Sequence, residues 1–283
     1  MIGWSNKLLE SSKNSLTKKI AVITGGSGFL GQQHCLALLE KGAIVFNFDL
    51  LPLEILSLNE FAPYSENFYN IKCDITNEKN VEEAFKQVID HQGKVDILIN
   101  NASIDHKVPS DLSENIHDFR FENFDLSSWQ NELAVGLTGA VYCCKYATRI
   151  MIKNKSGIII NISSDLGVIA PDQRIYKKSL SSSNDLIYFK PFSYSVIKHG
   201  LIGLTKYLST YLADFGIRVN TLSPGSIFNY QDPEFLHNLE NNIPLGRLAS
   251  VNEYKGAIHF LASDASSYMT GQNLIIDGGR STW

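Results

Sequence analysis

Tyr194 and Lys198 are the residues whose types and spacing most clearly permit chemistry. They lie four positions apart, so a helix would bring both side chains to one face, about one turn apart. A tyrosine phenol has a pKa of about 10, and a nearby ammonium favours the phenolate and lowers that pKa toward the working range. The pair predicts a group that donates and accepts a proton. The alternative is an exposed helix face without chemistry.

A glycine-rich turn near the N-terminus predicts a second site. The apolar run 20–23 is typical of a buried strand, and Gly25, Gly28 and Gly31 follow it before a helical pattern over 32–41. In this context the glycines permit a tight turn, the approach of a pyrophosphate and close helix–strand packing. The helix N-terminus then offers free N–H groups to phosphates. An ordinary glycine-rich turn is the alternative.

If the glycine turn binds a dinucleotide, Asp49 predicts which one. It ends the apolar run 44–48 and lies 18 positions beyond Gly31. A carboxylate there accepts hydrogen bonds from an adenosine ribose and repels a 2′-phosphate. Leu50 and Leu51 supply no cation for such a phosphate, so NAD(H) is favoured over NADP(H). A solvated loop aspartate is the alternative.

Seven short apolar runs alternate with helical patterns. The runs cover residues 20–23, 44–48, 67–71, 97–99, 157–162, 218–222 and 273–276. Such alternation predicts crossover units and a parallel sheet. We therefore expect an α/β fold, a single-domain Rossmann-type doubly wound parallel sheet flanked by helices, over 18–283. An N-terminal arm or extra helix is expected over 1–17.

Composition argues against several classes of protein. The chain has 283 residues and a net charge of −4 without a basic stripe, so nucleic acid is not expected as a partner. No uncharged apolar stretch is long enough to span a bilayer, and no signal peptide is evident. The four cysteines lack metal-ligand spacing, so no metal is expected. Free thiols favour a cytoplasmic location.

Further segments match one family pattern, in order along the chain. They are Cys73-Asp74-Ile75, Ile99-Asn100-Asn101-Ala102-Ser103, Asn161-Ile162-Ser163-Ser164, the helix with Tyr194 and Lys198, Ile217-Arg218-Val219-Asn220 with Ser223-Pro224-Gly225, and Thr270-Gly271-Gln272-Asn273 with Asp277-Gly278-Gly279. From about Lys19 to Trp283, the chain resembles a short-chain dehydrogenase/reductase.

The resemblance implies hydride transfer coupled to proton transfer. It implies that Tyr194 is the general acid/base, that Ser164 hydrogen-bonds the substrate oxygen, and that Lys198 holds the nicotinamide ribose and lowers the Tyr194 pKa. The implied cofactor contacts are Gly25, Ser27, Gly28, Phe29, Leu30, Gly31, Asp49, Asp74, Ile75, Asn101, Ala102, Ser103, Ile162, Tyr194, Lys198, Pro224, Gly225 and Ile227.

The chain departs from the family pattern in three ways. Gly136 stands where the family has an asparagine that helps hold a relay water, and a backbone carbonyl with a water would have to substitute in a kinked helix. The glycine spacing, with Gly28 rather than a glycine at Phe29, matches the longer sugar-nucleotide branch. Ser164 and Tyr194 lie 30 positions apart, more than the compact branch usually has.

The long separation indicates an insertion over 168–192. It should border the substrate mouth, because Ser164 and Tyr194 face the same reacting atom. Its polar and cationic residues predict an anionic or hydroxyl-rich, sugar-derived substrate. A solvated surface loop is the alternative. The loop and the C-terminal tail also resemble oxidoreductases of flagellin-modification and surface-polysaccharide gene sets.

Other functions stay open. They are a 3-oxoacyl or small-ketone reductase, a non-catalytic nucleotide sensor, and an epimerase or dehydratase of sugar nucleotides. Two long patterns, 129–151 and 195–215, are apolar nearly all round, which predicts a homodimer or homotetramer. Residues 227–243 are expected to form a mobile flap over the site.

Overall fold

A seven-stranded parallel sheet forms the centre of the computed structural model, which describes residues 15–52, 59–106, 120–176 and 189–283. The strands lie in the order β3-β2-β1-β4-β5-β6-β7, and every neighbouring pair is parallel. Their bounds are β1 Ile20–Thr24, β2 Ile44–Asp49, β3 Phe68–Lys72, β4 Ile97–Asn100, β5 Gly157–Ile162, β6 Ile217–Pro224 and β7 Asn273–Ile276. All seven predicted strands are confirmed, as is the α/β fold class.

Helices cover both faces of the sheet and bury its apolar strands in two separate clusters. Their bounds are α1 Phe29–Leu39, α2 Glu78–Gln92, α3 Leu126–Leu133, α4 Gly139–Asn154, α5 Phe192–Tyr211, α6 Pro233–Glu240 and α7 Lys255–Ala262. The strand order reverses between β1 and β4. In such a sheet, ligands bind in the crevice at the carboxyl ends of the strands on either side of this reversal.

The predicted helix over 129–151 is wrong in one respect. A π-helical turn, Ala134–Thr138, separates α3 from α4. The reason is local packing: a Cβ on Gly136 would lie 2.6 Å from the Cγ2 atom of Ile197 on α5. The glycine lets the π turn and α5 approach each other, which hydrophobic periodicity does not reveal.

Parts of two predicted segments lie outside the described residues. These are residues 1–14 of the N-terminal arm and residues 177–188 of the insertion. At the end of the arm, Leu16 is buried in the core, and its backbone N–H donates to the carbonyl of Lys41. Among the described helices, none has the length and apolar character needed to cross a membrane.

Candidate active site

The glycine turn after β1 forms one wall of the crevice. Gly25 has a positive φ of 67°, and a Cβ there would lie 2.8 Å from the Cα atom of Ala102 in the turn after β4. Helix α1 begins at Phe29, and no side chain caps it. Free N–H groups in its first turn suit a phosphate. Gly28 at the N-cap is exposed, so a pyrophosphate can approach the backbone.

Hydrogen bonds fix the two turns against each other. The Asn101 amide donates to the carbonyls of Thr24 and Gly25, both at 3.0 Å. The Thr24 hydroxyl accepts from the backbone N–H groups of Asn101 and Ala102. On the other side, buried Asn47 accepts from the N–H of Gly26 at 2.9 Å. The crevice is therefore pre-formed by β1, β2 and β4.

The end of β2 places a carboxylate beside the glycine turn. Asp49 accepts from the backbone N–H of Ser27 at 3.0 Å and from that of Leu51 at 3.3 Å. Leu50 and Leu51 are exposed next to it. The uncapped helix, the open glycine and this carboxylate fit the phosphates and ribose of a dinucleotide.

Two further predicted cofactor segments also lie along the carboxyl edge of the sheet. After β3, Asp74 accepts from the N–H and hydroxyl of Thr76, while Ile75 is buried. After β6, the N–H of Gly225 donates to the carbonyl of Ile276, and Ile227 forms an isolated bridge with Ala249.

The structure brings Ser164, Tyr194 and Lys198 together. Ser164 follows β5, while the other two lie on α5. The turn that Ser164 caps packs against α5, and the Ser164 hydroxyl lowers the pKa of Tyr194. The Lys198 ammonium lies 5.4 Å from the centre of the Tyr194 ring and donates to the carbonyl of Ile162 at 3.1 Å. The serine turn is anchored to α5 because the Ser163 hydroxyl donates to the Lys198 carbonyl at 2.7 Å.

The electrostatics of the site differ from expectation. Burial raises the pKa of Tyr194 well above its ordinary value, Asp105 raises that pKa further, and the Ser164 hydroxyl opposes the rise. Burial also lowers the pKa of Lys198 to about 8. The expected lowering of the Tyr194 pKa is therefore not found, because burial disfavours the charged phenolate. The phenol of Tyr194 is protonated at neutral pH.

Comparison with family models decides the family. The model described as short chain dehydrogenase matches residues 19–229, and the model described as enoyl-(acyl carrier protein) reductase matches residues 179–281. The chain belongs to the short-chain dehydrogenase/reductase family. It is therefore an oxidoreductase that acts on hydroxyl or ketone groups with a nicotinamide cofactor.

Known family members differ in substrate and cofactor. A 3-oxoacyl-[acyl-carrier-protein] reductase of Synechocystis is 31% identical, over 94% of this chain and 98% of the relative. A short-chain dehydrogenase from Leptospira borgpetersenii with bound NAD+ is 34% identical, with a TM-score of 0.79 over 95% of both chains. A gluconate 5-dehydrogenase from Burkholderia cenocepacia in complex with NADP and tartrate is 26% identical, with a TM-score of 0.80 over 97% of this chain and 99% of that one.

Gly136 is where this short-chain dehydrogenase/reductase departs from the asparagine of the family pattern, and it lies in the π turn that packs beside Lys198. An asparagine at position 136 would collide with Ile197, the residue before Lys198. On the facing side, a Cβ on Gly200 would lie 2.8 Å from Leu137. The two glycines permit close helix packing, and the site has no side chain at position 136 to hold a water.

Sequence reasoning missed a buried ion pair behind the serine. The Ser164 hydroxyl donates to Asp165 at 2.8 Å, and Asp165 pairs with Arg280 at 2.8 Å. Both charged side chains are 4% exposed. The single hydroxyl proton of Ser164 therefore points toward Asp165 and has to turn away from it before Ser164 can donate to a substrate oxygen. An aspartate directly after the serine was the available signal, but its partner lies 115 positions away.

Three other polar contacts near Tyr194 were also missed. Buried Glu132 on α3 contacts the His106 ring at 2.9 Å and accepts from the Ser193 hydroxyl. Lys190 forms an ion pair with Asp105. These contacts join the loop after β4 to the start of α5, and no sequence spacing reveals them.

Proposed function

We propose that this chain is an NAD(H)-dependent oxidoreductase in which Tyr194 is the general acid/base. The observation that carries the proposal is the Lys198 ammonium, which lies 5.4 Å from the centre of the Tyr194 ring and binds the Ile162 carbonyl two residues before Ser164. Ser164 would hold the substrate oxygen, and Tyr194 would give it a proton or take one from it. Lys198 would hold the nicotinamide ribose. The nicotinamide supplies or accepts the hydride.

The preference for NAD(H) rests on Asp49. Its carboxylate lies beside the phosphate-binding turn, where it would accept from a ribose hydroxyl and repel a 2′-phosphate. The exposed side chains that follow, Leu50 and Leu51, offer such a phosphate no positive charge. Relatives occur with NAD+ and with NADP, so the preference is a property of these residues rather than of the family.

We infer a polar, sugar-derived substrate. The described part of the insertion brings Gln173 and Lys190 to the Tyr194 side of the site, and Asp105 joins them from the loop after β4. Hydroxyl-rich substrates need such hydrogen-bonding partners, whereas an acyl chain needs an apolar wall. The gluconate 5-dehydrogenase relative is consistent with this class. We further propose that the chain belongs to the subgroup found with flagellin-modification and surface-polysaccharide genes.

A substrate panel tests this function. Sugar phosphates, nucleotide sugars, sugar acids and acyl thioesters are incubated with NADH or NAD+, and the reduced nicotinamide is followed by absorbance. We expect the highest kcat/KM for a polar sugar derivative. A clear preference for 3-oxoacyl thioesters would instead assign the function of the Synechocystis relative. Turnover of any of these substrates would exclude a sensor without activity.

The flap and the cellular location remain parts of this proposal. Helix α6 lies in the proposed flap, and its Phe235 packs against Tyr176 of the insertion at 5.3 Å between ring centres. We propose that this contact opens when substrate enters, which hydrogen exchange of α6 with and without cofactor would detect.

The four cysteines are free and buried, which suits the cytoplasm we propose. Recovery of the protein from a secreted fraction would contradict that location.

We propose that α4 and α5 form an interface with a second copy of the chain. Val141 on α4 and Val196, Tyr207 and Tyr211 on α5 are exposed, and the two tyrosine rings stack 6.0 Å apart. Burying such a surface against its copy would remove apolar area from water. Size-exclusion chromatography with light scattering should give the mass of a dimer or tetramer, and Tyr207→Glu should reduce it. A wild-type monomer would refute the interface.

A further inference from the structure

Two lysines, rather than one, face the Tyr194 ring. The Lys198 ammonium lies 5.4 Å from the ring centre, and the Lys190 ammonium lies nearer, at 4.1 Å. A lysine over the face of an aromatic ring is held by the ring's electron density. Lys190 precedes α5 and is only 9% exposed. Its position therefore depends on contacts other than those of the helix.

Those contacts hold Lys190 firmly. The Gln173 side chain accepts from the Lys190 N–H at 2.9 Å and donates to the Lys190 carbonyl at 3.1 Å. Both backbone groups are thus bound to a single amide. The ammonium pairs with Asp105, whose side chain is 58% exposed. The lysine is buried against the tyrosine, while its counter-charge faces solvent, where water screens it more strongly.

The charged and titratable groups around Tyr194 come from four parts of the chain. Lys198 faces it from its own helix, Lys190 from the residues before that helix, and Asp105 from the loop after β4. From the segment after β5 come Asp165, paired with Arg280 of the C-terminal tail, and Tyr176.

The ion pair of Lys190 and Asp105 lies beside the ring, because the Lys190 ammonium is 4.1 Å from the ring centre. Asp105 raises the pKa of Tyr194. Lys190 lowers the pKa of Lys198, while Asp105 raises it, so the two charges of the pair have opposite effects on the same ammonium. A cation beside a phenol favours the phenolate, and an anion opposes it.

We propose that Lys190, held in place by Gln173, is a positioning residue that stabilises the Tyr194 phenolate during proton transfer, and that the Asp105 carboxylate opposes this stabilisation. This inference rests on the acid/base role proposed above for Tyr194. When Tyr194 takes a proton from a substrate hydroxyl, the phenolate becomes a phenol. When the reaction runs toward the alcohol, the phenol loses that proton and the lysine stabilises the anion left behind.

The test is the pH profile of kcat/KM for alcohol oxidation, measured with the best substrate of the panel. Oxidation needs the phenolate, so its rate rises with pH through the Tyr194 pKa. Lys190→Met removes the cation and should move the midpoint up by about one pH unit. Below the midpoint, that shift makes oxidation about tenfold slower. Asp105→Asn removes the anion and should move the midpoint down. Lys190→Arg keeps the charge and should restore the wild-type profile.

Controls separate this inference from the proposed function and from damage to the fold. Lys206→Met changes an exposed lysine on the same helix and should leave the profile unchanged. NADH affinity and the melting temperature of each variant report on the crevice and the fold. Midpoints that move in the same direction in Lys190→Met and Asp105→Asn, or that do not move, would overturn the inference. Turnover that survives Tyr194→Phe would instead refute the proposed function.

Discussion

Replacing Tyr194 with phenylalanine is expected to slow turnover by about 10²–10⁴-fold. The change removes the phenol hydroxyl, so no group remains beside Ser164 to give a proton to the substrate oxygen or to take one from it. The aromatic ring remains under Lys190, so the packing at the start of α5 should persist. Steady-state kcat in both directions, with NADH affinity from a fluorescence titration, measures the effect.

The control for Tyr194→Phe is Tyr268→Phe, the same change at a surface tyrosine. Tyr268 is fully exposed, so the loss of its hydroxyl should leave kcat unchanged. NADH affinity should stay within a few-fold in both variants. If Tyr194→Phe turned over at close to the wild-type rate, the proton-transfer role of Tyr194 would have to be abandoned.

Neutralising Asp49 should change which nicotinamide cofactor the protein prefers. Asp49→Asn keeps an oxygen that can accept from the Ser27 N–H but removes the charge that repels a 2′-phosphate. A hydrogen bond to a charged group contributes about 1.5–3 kcal/mol, so the preference for NADH over NADPH should fall by roughly tenfold to a hundredfold. Dissociation constants for both cofactors, from fluorescence titrations, give the ratio directly.

Asp90→Asn is the control for the Asp49 experiment. Asp90 lies exposed on α2, so its variant has the same change in net charge and should keep the wild-type ratio of the two constants. The assignment to NAD(H) would be wrong if the wild-type protein bound NADPH more tightly than NADH, or if Asp49→Asn left the ratio unchanged.

Sequence reasoning located most of the fold because parallel strands and glycine turns have local signals. Runs such as 20–23 are apolar throughout since both faces of the sheet are covered. The glycine turn and the Tyr194–Lys198 spacing are also local. The sequence allowed a kinked helix at Gly136, but not the π turn at Ala134–Thr138, where Gly136 packs closely against a different helix.

The electrostatic setting of the site is not local, which is why it could not be predicted. The Lys190–Asp105 pair spans 85 positions and the Arg280–Asp165 pair spans 115. Both depend on the sheet bringing distant loops to one edge. Burial of Tyr194 is likewise a tertiary property, and it reverses the pKa direction that the nearby lysine alone would give.

Burial raises the pKa of Tyr194 well above its ordinary value, so its phenol is protonated at neutral pH. In the acid/base role that we propose for Tyr194, this phenol gives its proton to a ketone during reduction. Oxidation of an alcohol in the same role requires the phenolate, which positive charge near the ring would stabilise. The two lysines beside the ring are the groups in the described chain that can supply it.

The decisive experiment is a crystal structure of the complex with NAD+. We expect the adenosine ribose to contact Asp49, the pyrophosphate to lie at the N-terminus of α1, and nicotinamide C4 to face the hydroxyls of Ser164 and Tyr194. A nicotinamide ring remote from Tyr194, or a dinucleotide bound outside the crevice between β1 and β4, would contradict this expectation.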